Sequence, residues 1–284
     1  MGKVWLLIFF SFTIFLHADL YRIYEGAPNG ATGNPNEWGF EQISDAWTHA
    51  TQTNPGNHTI RIEWQGPTQS EGVYFEVPEL ILGNSGDIEV IAETNIRPEI
   101  RPDGDHPVFT NNSTTGKILK IEGYDEGVYN RIALYSAYAS PLITTSINGN
   151  GVFVIEKVNF IKKERTWSPS EVPGAPDGNY VVLQNIPVSP HEFYMVRFLG
   201  GDEVEQSSPV LVLGPMSGTG IMDAQLRYID FSYAKGRGTR LALKNVVQMT
   251  LEQCVFAPKG EVPIRKVLLR FVRIVLLPLM AVLR

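Results

Sequence analysis

The sequence contains almost no cysteine and no clustering of cysteine with histidine. Among its 284 residues there are one cysteine, Cys254, and five histidines. A single thiol cannot form an intramolecular disulfide, and no group of Cys and His has the spacing of a zinc site. We therefore interpret Cys254 as a small buried apolar residue.

Basic residues are scarce in the body of the chain. Residues 19–261 hold all 30 acidic residues but only 18 of the 24 Lys and Arg, which gives this stretch a net charge of −12. Proteins that bind nucleic acids need clustered Lys and Arg to contact phosphates. An acidic body without a basic stripe argues against a nucleic-acid partner.

The apolar run at the start is short for a membrane-spanning helix. Residues 1–18 combine a basic start, an apolar stretch at 4–16 and the small residue Ala18. This order is typical of a secretory signal peptide, and an uncleaved N-terminal anchor is the alternative. We therefore expect the mature chain to begin near Asp19 and the protein to be secreted or on the cell surface, in an extracellular or periplasmic location.

The last segment, 262–284, is apolar and basic and contains no acidic residue. Its unbroken apolar run, 274–283, is too short to span a bilayer. On a helix, Lys266, Arg270 and Arg273 would form one stripe. Three interpretations remain open: a helix that caps the domain, a segment lying on an anionic membrane surface, or a truncated or frame-shifted end. Membrane contact is expected only through this tail.

The pattern of residues 19–261 predicts one helix followed by many strands. Residues 38–52 carry apolar side chains at helical spacing, among them Phe40, Ile43 and Trp47. From there to Phe256, short alternating apolar runs are separated by Gly, Asn, Asp and Pro. This pattern excludes a doubly wound α/β fold and leaves a sandwich, a barrel, a propeller or a solenoid.

A repeated strand ending distinguishes among these folds. Four alternating strands end in an aromatic residue, at intervals of 38, 33 and 25 residues. The four residues are Phe160, Phe198, Phe231 and Phe256. A constant ending with loops of unequal length is typical of a solenoid, in which equivalent side chains stack about 4.8 Å apart. The sequence therefore predicts a right-handed parallel β-helix with an N-terminal capping α-helix. A β-sandwich is the alternative, because Asn150-Gly151 suits a hairpin turn.

The beginning of the body resembles a known superfamily. The helix at 38–52, the strand Thr59-Ile-Arg-Ile62 and the turn Trp64-Gln-Gly66 resemble the start of the pectate-lyase-like β-helix superfamily. There, an amphipathic helix covers the open N-terminal end of the coil. The resemblance extends over about 37–256 and implies a fold.

The catalytic motifs of that superfamily are incomplete in this chain. Its hydrolases use a Gly-His-Gly, and Gly236-Arg237-Gly238 lacks the histidine. Its lyases use calcium-binding acidic residues and a catalytic arginine, and Ile229-Asp230-Phe231 lacks the histidine of their Ile-Asp-His. The catalytic candidates are therefore Arg237, Lys235 and Asp230. Arg237 or Lys235 could act as a base only with a lowered pKa.

The stacked strand endings would bring the loops that follow them to one side of the solenoid. These loops hold acidic, basic and aromatic residues. The substrate-binding candidates are Arg165, Trp167, Asp202, Glu203, Tyr233 and Arg240. Aromatic rings stack on sugar rings, carboxylates accept hydrogen bonds from hydroxyls, and Arg neutralises uronates. The loops predict a groove for a polysaccharide or cell-surface glycan, and solvated loops are the simpler alternative.

A cofactor is not expected, apart from calcium at one place. Asp103 and Asp105 are the only candidate metal ligands, because two carboxylates two residues apart can hold Ca²⁺. An ordinary surface turn is the alternative. Two functions remain open: a carbohydrate-binding protein related to polysaccharide lyases or glycoside hydrolases, or a non-catalytic structural or adhesive surface protein.

Overall fold

The computed structural model describes residues 18–53, 56–63, 74–93, 96–124, 131–162, 178–200, 209–214, 222–231, 241–243, 246–256, 267–275 and 281–283. This part of the chain is all-β apart from one short helical segment. The strands are β1 Asp19–Ile23, β2 Gly30–Ala31, β3 Glu37–Phe40, β4 His58–Ile62, β5 Tyr74–Val77, β6 Leu80–Leu82, β7 Ile88–Ala92, β8 Glu99–Pro102, β9 Phe109–Asn111, β10 Ile118–Glu122, β11 Ile132–Ser136, β12 Ile143–Thr145, β13 Val152–Glu156, β14 Val158–Lys162, β15 Val181–Leu183, β16 His191–Tyr194, β17 Arg197–Gly200, β18 Leu211–Leu213, β19 Met222–Arg227, β20 Leu241–Leu243, β21 Val246–Phe256, β22 Val267–Val275 and β23 Ala281–Leu283.

The strands form three long sheets. Sheet I has the order β2-β3-β1-β4-β7-β10-β13-β16-β19-β21-β22, sheet II β17-β14-β11-β8-β5, and sheet III β23-β20-β18-β15-β12-β9-β6. From β4 to β18 the chain enters sheets I, II and III in turn, one strand in each, and then begins the next coil. This connectivity is that of a β-solenoid.

Pairing between successive coils is parallel, as a solenoid requires. In sheet I, for example, Ile60 pairs with Val90 and Val90 with Ile121, both in parallel register. Antiparallel pairs in the described chain are confined to β2–β3, β20–β23 and β21–β22. A sandwich would have antiparallel neighbours throughout, so the alternative fold is excluded.

Alternating strands place one column of apolar side chains inside each sheet. In sheet I the inward column consists of Ile60, Val90, Ile121, Ile155, Phe193, Leu226 and Leu251, each at most 1% exposed. Burying a side chain of this size contributes about 1.5–3 kcal/mol. The repeated column therefore fixes which face of each strand points inward, because a slip by one residue would expose it.

The predicted stack of phenylalanines is confirmed, and it begins on the inner side of sheet II with Phe160 in β14 and Phe198 in β17. Ring centroids lie 5.2 Å apart for Phe160 and Phe198, 4.9 Å for Phe198 and Phe231, and 4.9 Å for Phe231 and Phe256. All three pairs are stacked, with interplanar angles between 4° and 17°. The strand endings therefore belong to consecutive coils.

The corner between sheets I and II turns on a single left-handed residue. Lys157, Met195, Tyr228 and Gln253 have φ between 49° and 56°. They follow paired residues of sheet I, so they occupy the same position in four coils. A side chain in this conformation costs roughly 1–2 kcal/mol. Each such residue closes the corner in one step and keeps the two sheets directly adjacent.

A second corner, where the chain passes from sheet III back to sheet I, contains a buried polar network. The Asn111 carboxamide donates to the Lys117 and Val152 carbonyls, both at 3.0 Å. Two coils further on, Asn185 donates to the Gly151 carbonyl at 2.7 Å. Buried amides require such partners, since leaving one unsatisfied costs about 1–3 kcal/mol.

The N-terminal helix is shorter than predicted. Helix α1 spans Ile43–Thr48 and continues as one π-helical turn, His49–Thr53. Residues 37–40 are not helical, because β3 pairs in parallel with β1 and places Trp38 beside Tyr21. Trp38 and Phe40 fit the spacing of a strand as well as that of a helix, and the available edge of β1 decides in favour of the strand.

Extended backbone also replaces the helix considered for the tail. Strand β22 pairs antiparallel with β21, and β23 pairs antiparallel with β20. An open sheet edge offers unpaired N–H and C=O groups, which an extended segment can satisfy. The helical interpretation of 262–284 is therefore wrong for these two strands. Residues 1–17 lie outside the described part of the chain. No helix within the described residues has the length and apolar character needed to cross a membrane.

Candidate functional site

The three sheets present different outer faces, and the outward row of sheet III contains no charged residue. Its outward row consists of Ile81, Thr110, Thr144, Val182, Val212 and Ala242. These side chains offer no ionic group to a ligand. One carboxylate does lie against this face, because Thr110 donates a hydrogen bond to Glu79.

Sheet I presents charges that neutralise one another. Lys120 Nζ lies 3.0 Å from Glu89 and 2.6 Å from Glu122, and Lys157 Nζ lies 3.3 Å from Glu122. Partial burial alone would raise the pKa of Glu122, but the two ammonium groups hold it below its ordinary value. At the start of the sheet, Arg22 pairs with Glu63 at 2.6 Å. The charges of this face are largely satisfied within the protein.

Sheet II carries a guanidinium between two aromatic rings. Arg101 Cζ lies 4.7 Å from the ring centre of Tyr74 and 4.8 Å from that of Tyr135. The Nε atom of Arg101 donates to the Glu99 carboxylate. We call Tyr74, Arg101 and Tyr135 the tyrosine–arginine stack. Its outermost ring, that of Tyr74, is 54% exposed.

Strand alternation and register place the stack on the outside. Phe75 and Ile100 are paired and buried, so their neighbours Tyr74 and Arg101 face outward. Ala133 pairs with Glu99, which brings Tyr135 of the next coil beside Arg101. A cation over an aromatic face gains about 0.5–2 kcal/mol. The guanidinium is therefore fixed in place before any ligand arrives.

Further along the same solenoid lies a pocket of about 230 Å³ at the corner between sheets I and II. Its walls include Arg131, Arg197, Tyr228, Asp230, Gln253 and Val255. Arg197 and Asp230 are neighbours in a parallel bridge between consecutive coils. We call this feature the corner pocket. It brings a guanidinium, a carboxylate, an amide and an exposed phenol ring together.

Of the predicted site residues, Asp230 is the one that the structure describes at this site, as a wall of the corner pocket. The other catalytic and substrate-binding candidates lie outside the described residues. They are Arg165, Trp167, Asp202, Glu203, Tyr233, Lys235, Arg237 and Arg240. The groove formed by their loops therefore stays a prediction.

The two candidate calcium ligands each have a protein partner. Asp103 Oδ1 lies 2.7 Å from His106 Nε2. Asp105 Oδ1 accepts a hydrogen bond from the Ser140 N–H at 3.0 Å and so ties its loop to the loop of the next coil. In the described stretches, no three His, Cys, Asp or Glu side chains are grouped as metal ligands. The calcium site remains a prediction.

Sequence reasoning missed the tyrosine–arginine stack and Arg197. The site candidates came from the loops after the phenylalanine endings, whereas the residues of the stack and Arg197 lie within strands. The available signal was the outward register of sheet II, since Tyr74 and Arg101 alternate with apolar neighbours. Their meeting depends on pairing between coils, which no local pattern specifies.

Comparison with known proteins gave no match to this chain among protein-family models, curated proteins or solved structures.

Proposed function

We propose that this protein binds carbohydrate along the outer face of sheet II. The single observation that carries the proposal is the tyrosine–arginine stack, with an exposed Tyr74 ring and an Arg101 guanidinium held between two phenols. Sugar rings have apolar faces that stack on aromatic rings and hydroxyls that need hydrogen-bond partners. Sheet II offers both in one stack, in which the protein holds the guanidinium and leaves the outermost ring exposed.

The stack is rigid enough for recognition. Glu99 and two aromatic rings hold Arg101, so ordering this long side chain on binding costs little of the roughly 0.5–1.5 kcal/mol that a free one would lose. In the described chain, no acceptor contacts its two terminal nitrogens. These donors are available to a sugar hydroxyl or to an acidic group on the sugar.

The spacing of the coils suits a polymer. Tyr74 and Tyr135 belong to strands two positions apart, which corresponds to roughly 10 Å along the solenoid axis. A glycan chain lying along this axis meets a new coil every ~4.8 Å. A flat strand face repeated in this way favours an extended polysaccharide over a compact small molecule.

The finer fold assignment forms part of the same proposal. We take the solenoid to be a right-handed parallel β-helix like those of the pectate-lyase-like superfamily, with α1 as its N-terminal cap. The buried Ile43, Ala46 and Trp47, and the hydrogen bond from Trp47 Nε1 to the Ile81 carbonyl at 3.2 Å, support the cap. A glycan ligand agrees with the secreted or cell-surface location expected from residues 1–18.

The test is a binding panel of neutral and acidic polysaccharides, using the mature chain and its Tyr74→Ala and Arg101→Gln variants. Each variant is expected to lose about tenfold in affinity, equivalent to ~1.4 kcal/mol. Ile81→Ala, which trims a residue 44% exposed on sheet III, is the control and keeps full affinity. Measurement of unsaturated uronates and new reducing ends in the same samples detects any lyase or hydrolase activity.

Wild-type affinity in both sheet II variants would overturn the proposal. Failure of the wild-type protein to bind any glycan would do so as well. The non-catalytic structural or adhesive surface protein would then be the function to pursue.

A further inference from the structure

One arginine of the corner pocket has no polar partner among the residues that the structure describes. Arg197 lines the pocket, and within the described part of the chain its side chain has neither a hydrogen bond nor an ion pair. On sheet I, by contrast, Arg22 contacts both Glu37 and Glu63. An arginine that stays unpaired in a concave site is ready to bind an anion, because its planar donors match a carboxylate or sulfate.

The backbone of the pocket is built to hold its walls still. Met195, Tyr228 and Gln253 all line it, and all three have left-handed φ angles. Arg131, only 6% exposed, reaches across two coils and donates to the Met195 carbonyl. Strained backbone costs about 1–3 kcal/mol per residue and is concentrated at functional sites. Here the shared left-handed conformation aligns Met195, Tyr228 and Gln253, one from each of three successive coils, along the wall of the pocket.

An aromatic ring borders the same pocket. Tyr228 is 39% exposed and stands edge-on to Tyr194, with 5.4 Å between ring centres. Gln253 adds an amide and Asp230 a carboxylate. A phenol ring beside polar groups suits a pyranose ring that carries a charged substituent.

The size of the pocket limits what enters. Its volume of about 230 Å³ is below the ~300–1,000 Å³ of sites that enclose drug-sized ligands. It therefore holds one sugar ring or one substituent, and the rest of a longer ligand must lie on the face outside.

We infer that the corner pocket is a second subsite on the sheet II side of the solenoid and that it takes an anionic substituent of the bound glycan, a carboxylate or a sulfate ester, on Arg197. This inference rests on the proposed function. Strands β8 and β17 are three positions apart in sheet II, so Arg101 and Arg197 are separated by about 14 Å along the axis. One extended acidic glycan can occupy both.

The test uses Arg197→Gln and Arg197→Lys in the mature chain. The probes are alginate oligomers with their carboxyl-reduced form, and a sulfated galactan with its desulfated form. Arg197→Gln is expected to lose about tenfold in affinity for the acidic form of one pair and nothing for its neutral form. A loss confined to the alginate pair identifies a carboxylate as the substituent, and a loss confined to the galactan pair identifies a sulfate ester. Arg197→Lys is expected to keep only part of the wild-type affinity for the acidic probe, because an ammonium cannot bind an anion through two parallel hydrogen bonds.

Arg61→Gln is the matched control, since it removes one positive charge from sheet I, where Arg61 lies 3.7 Å from Glu63. It should bind both acidic probes like the wild type. If Arg61→Gln and Arg197→Gln lost the same affinity for the acidic probes, the net charge of the protein would explain the loss. That result would overturn the inference.

The failure of this inference can be separated from that of the proposed function. Unchanged affinity in Arg197→Gln, together with a loss in Tyr74→Ala, would overturn the subsite and leave the sheet II face intact. Unchanged affinity in Arg197→Gln, Tyr74→Ala and Arg101→Gln would overturn both. Unfolding midpoints of all variants, measured in parallel, exclude a loss of binding through misfolding.

Discussion

The rings of Phe198 and Phe231 lie face to face, 4.9 Å between centroids and 4° from parallel, although the two residues are separated by 33 positions in the chain. Each ring belongs to a different coil, so the stack reports the pitch of the solenoid directly. The spacing matches the distance between hydrogen-bonded strands, about 4.7–4.9 Å.

Phe198 should be among the most stabilising residues of this column. It is fully buried and stacks on both Phe160 and Phe231. Phe198→Ala is expected to lower the free energy of unfolding by about 3–5 kcal/mol, because it leaves a cavity between two rings. Denaturant unfolding followed by circular dichroism measures the loss. Ile81→Ala, at a position 44% exposed, should stay within about 0.5 kcal/mol. Equal effects at the two positions would contradict the buried column.

His191 should make the protein sensitive to acid. It is completely buried, and burial lowers its pKa to about 3. Its Nδ1 accepts the Phe153 N–H at 3.0 Å, so Nε2 carries the proton and donates to Asn185 Oδ1. The unfolded chain takes up a proton below its ordinary pKa of about 6.5, and the folded chain does not. Between pH 6.5 and 5 this residue should therefore cost about 2 kcal/mol of stability.

The His191→Gln variant isolates this contribution. Its free energy of unfolding, compared with that of the wild type by urea titration at several pH values, should fall less steeply between pH 6.5 and 5. Parallel curves for the two proteins would show that His191 is not held neutral in the fold.

His106 should give stability the opposite dependence on pH. Burial lowers its pKa, but the Pro107 carbonyl and the Asp103 carboxylate accept from its two nitrogens and raise the pKa above the ordinary value. Its stabilising effect is present below pH 6.5 and is lost as the pH rises through the raised pKa. His106→Gln should therefore destabilise the protein at pH 5 and have little effect at pH 9. A constant loss across this range would contradict the ion pair.

Lys162 should be needed for the loop that follows β11. Its side chain is buried, and Nζ donates to the carbonyls of Tyr138, Ala139 and Ser140 at 3.0, 3.0 and 2.9 Å. Lys162→Met removes the donor from all three and is expected to cost about 1–3 kcal/mol or more. Gly178 lies against Nζ and leaves no room for a larger head group, so arginine should not restore stability.

Thermal unfolding of Lys162→Met, Lys162→Arg and the control Lys117→Met tests this role. Lys117 is only half-buried, and its replacement should change stability by no more than about 0.5 kcal/mol. A stable Lys162→Met protein would show that the three carbonyls do not depend on the ammonium.

Gly151 should not tolerate even one methyl group. A Cβ at this position would collide with the carboxamide of Asn111, which cannot move away because it bonds to Lys117 and Val152. Gly151→Ala is expected to cost about 1–3 kcal/mol by overpacking. At Gly83 a Cβ meets open space, so Gly83→Ala serves as the control in the same denaturation assay and should be nearly neutral.

The amino-acid sequence by itself determined the class of fold. Alternation fixed which side chains of each strand point inward, and four phenylalanine endings predicted stacked coils that the structure shows. Both signals are local, because burial imposes a period of two on every strand. Local patterns also placed the start of the helix too early, at residue 38. Trp38 and Phe40 fit the period of a strand as well as that of a helix, and only pairing with β1 makes this segment a strand.

Only the tertiary structure decided which outward side chains become neighbours. Tyr74, Arg101 and Tyr135 meet because β5, β8 and β11 pair in one register, although the residues are 27 and 34 positions apart in the sequence. Asp230 was a candidate from its motif, but its neighbour Arg197 became visible only through the bridge between coils. Pairing between coils depends on where each loop returns the chain, and loop length varies freely along a solenoid. The inner columns can therefore be predicted from a single strand, whereas the outer surface requires the whole coil.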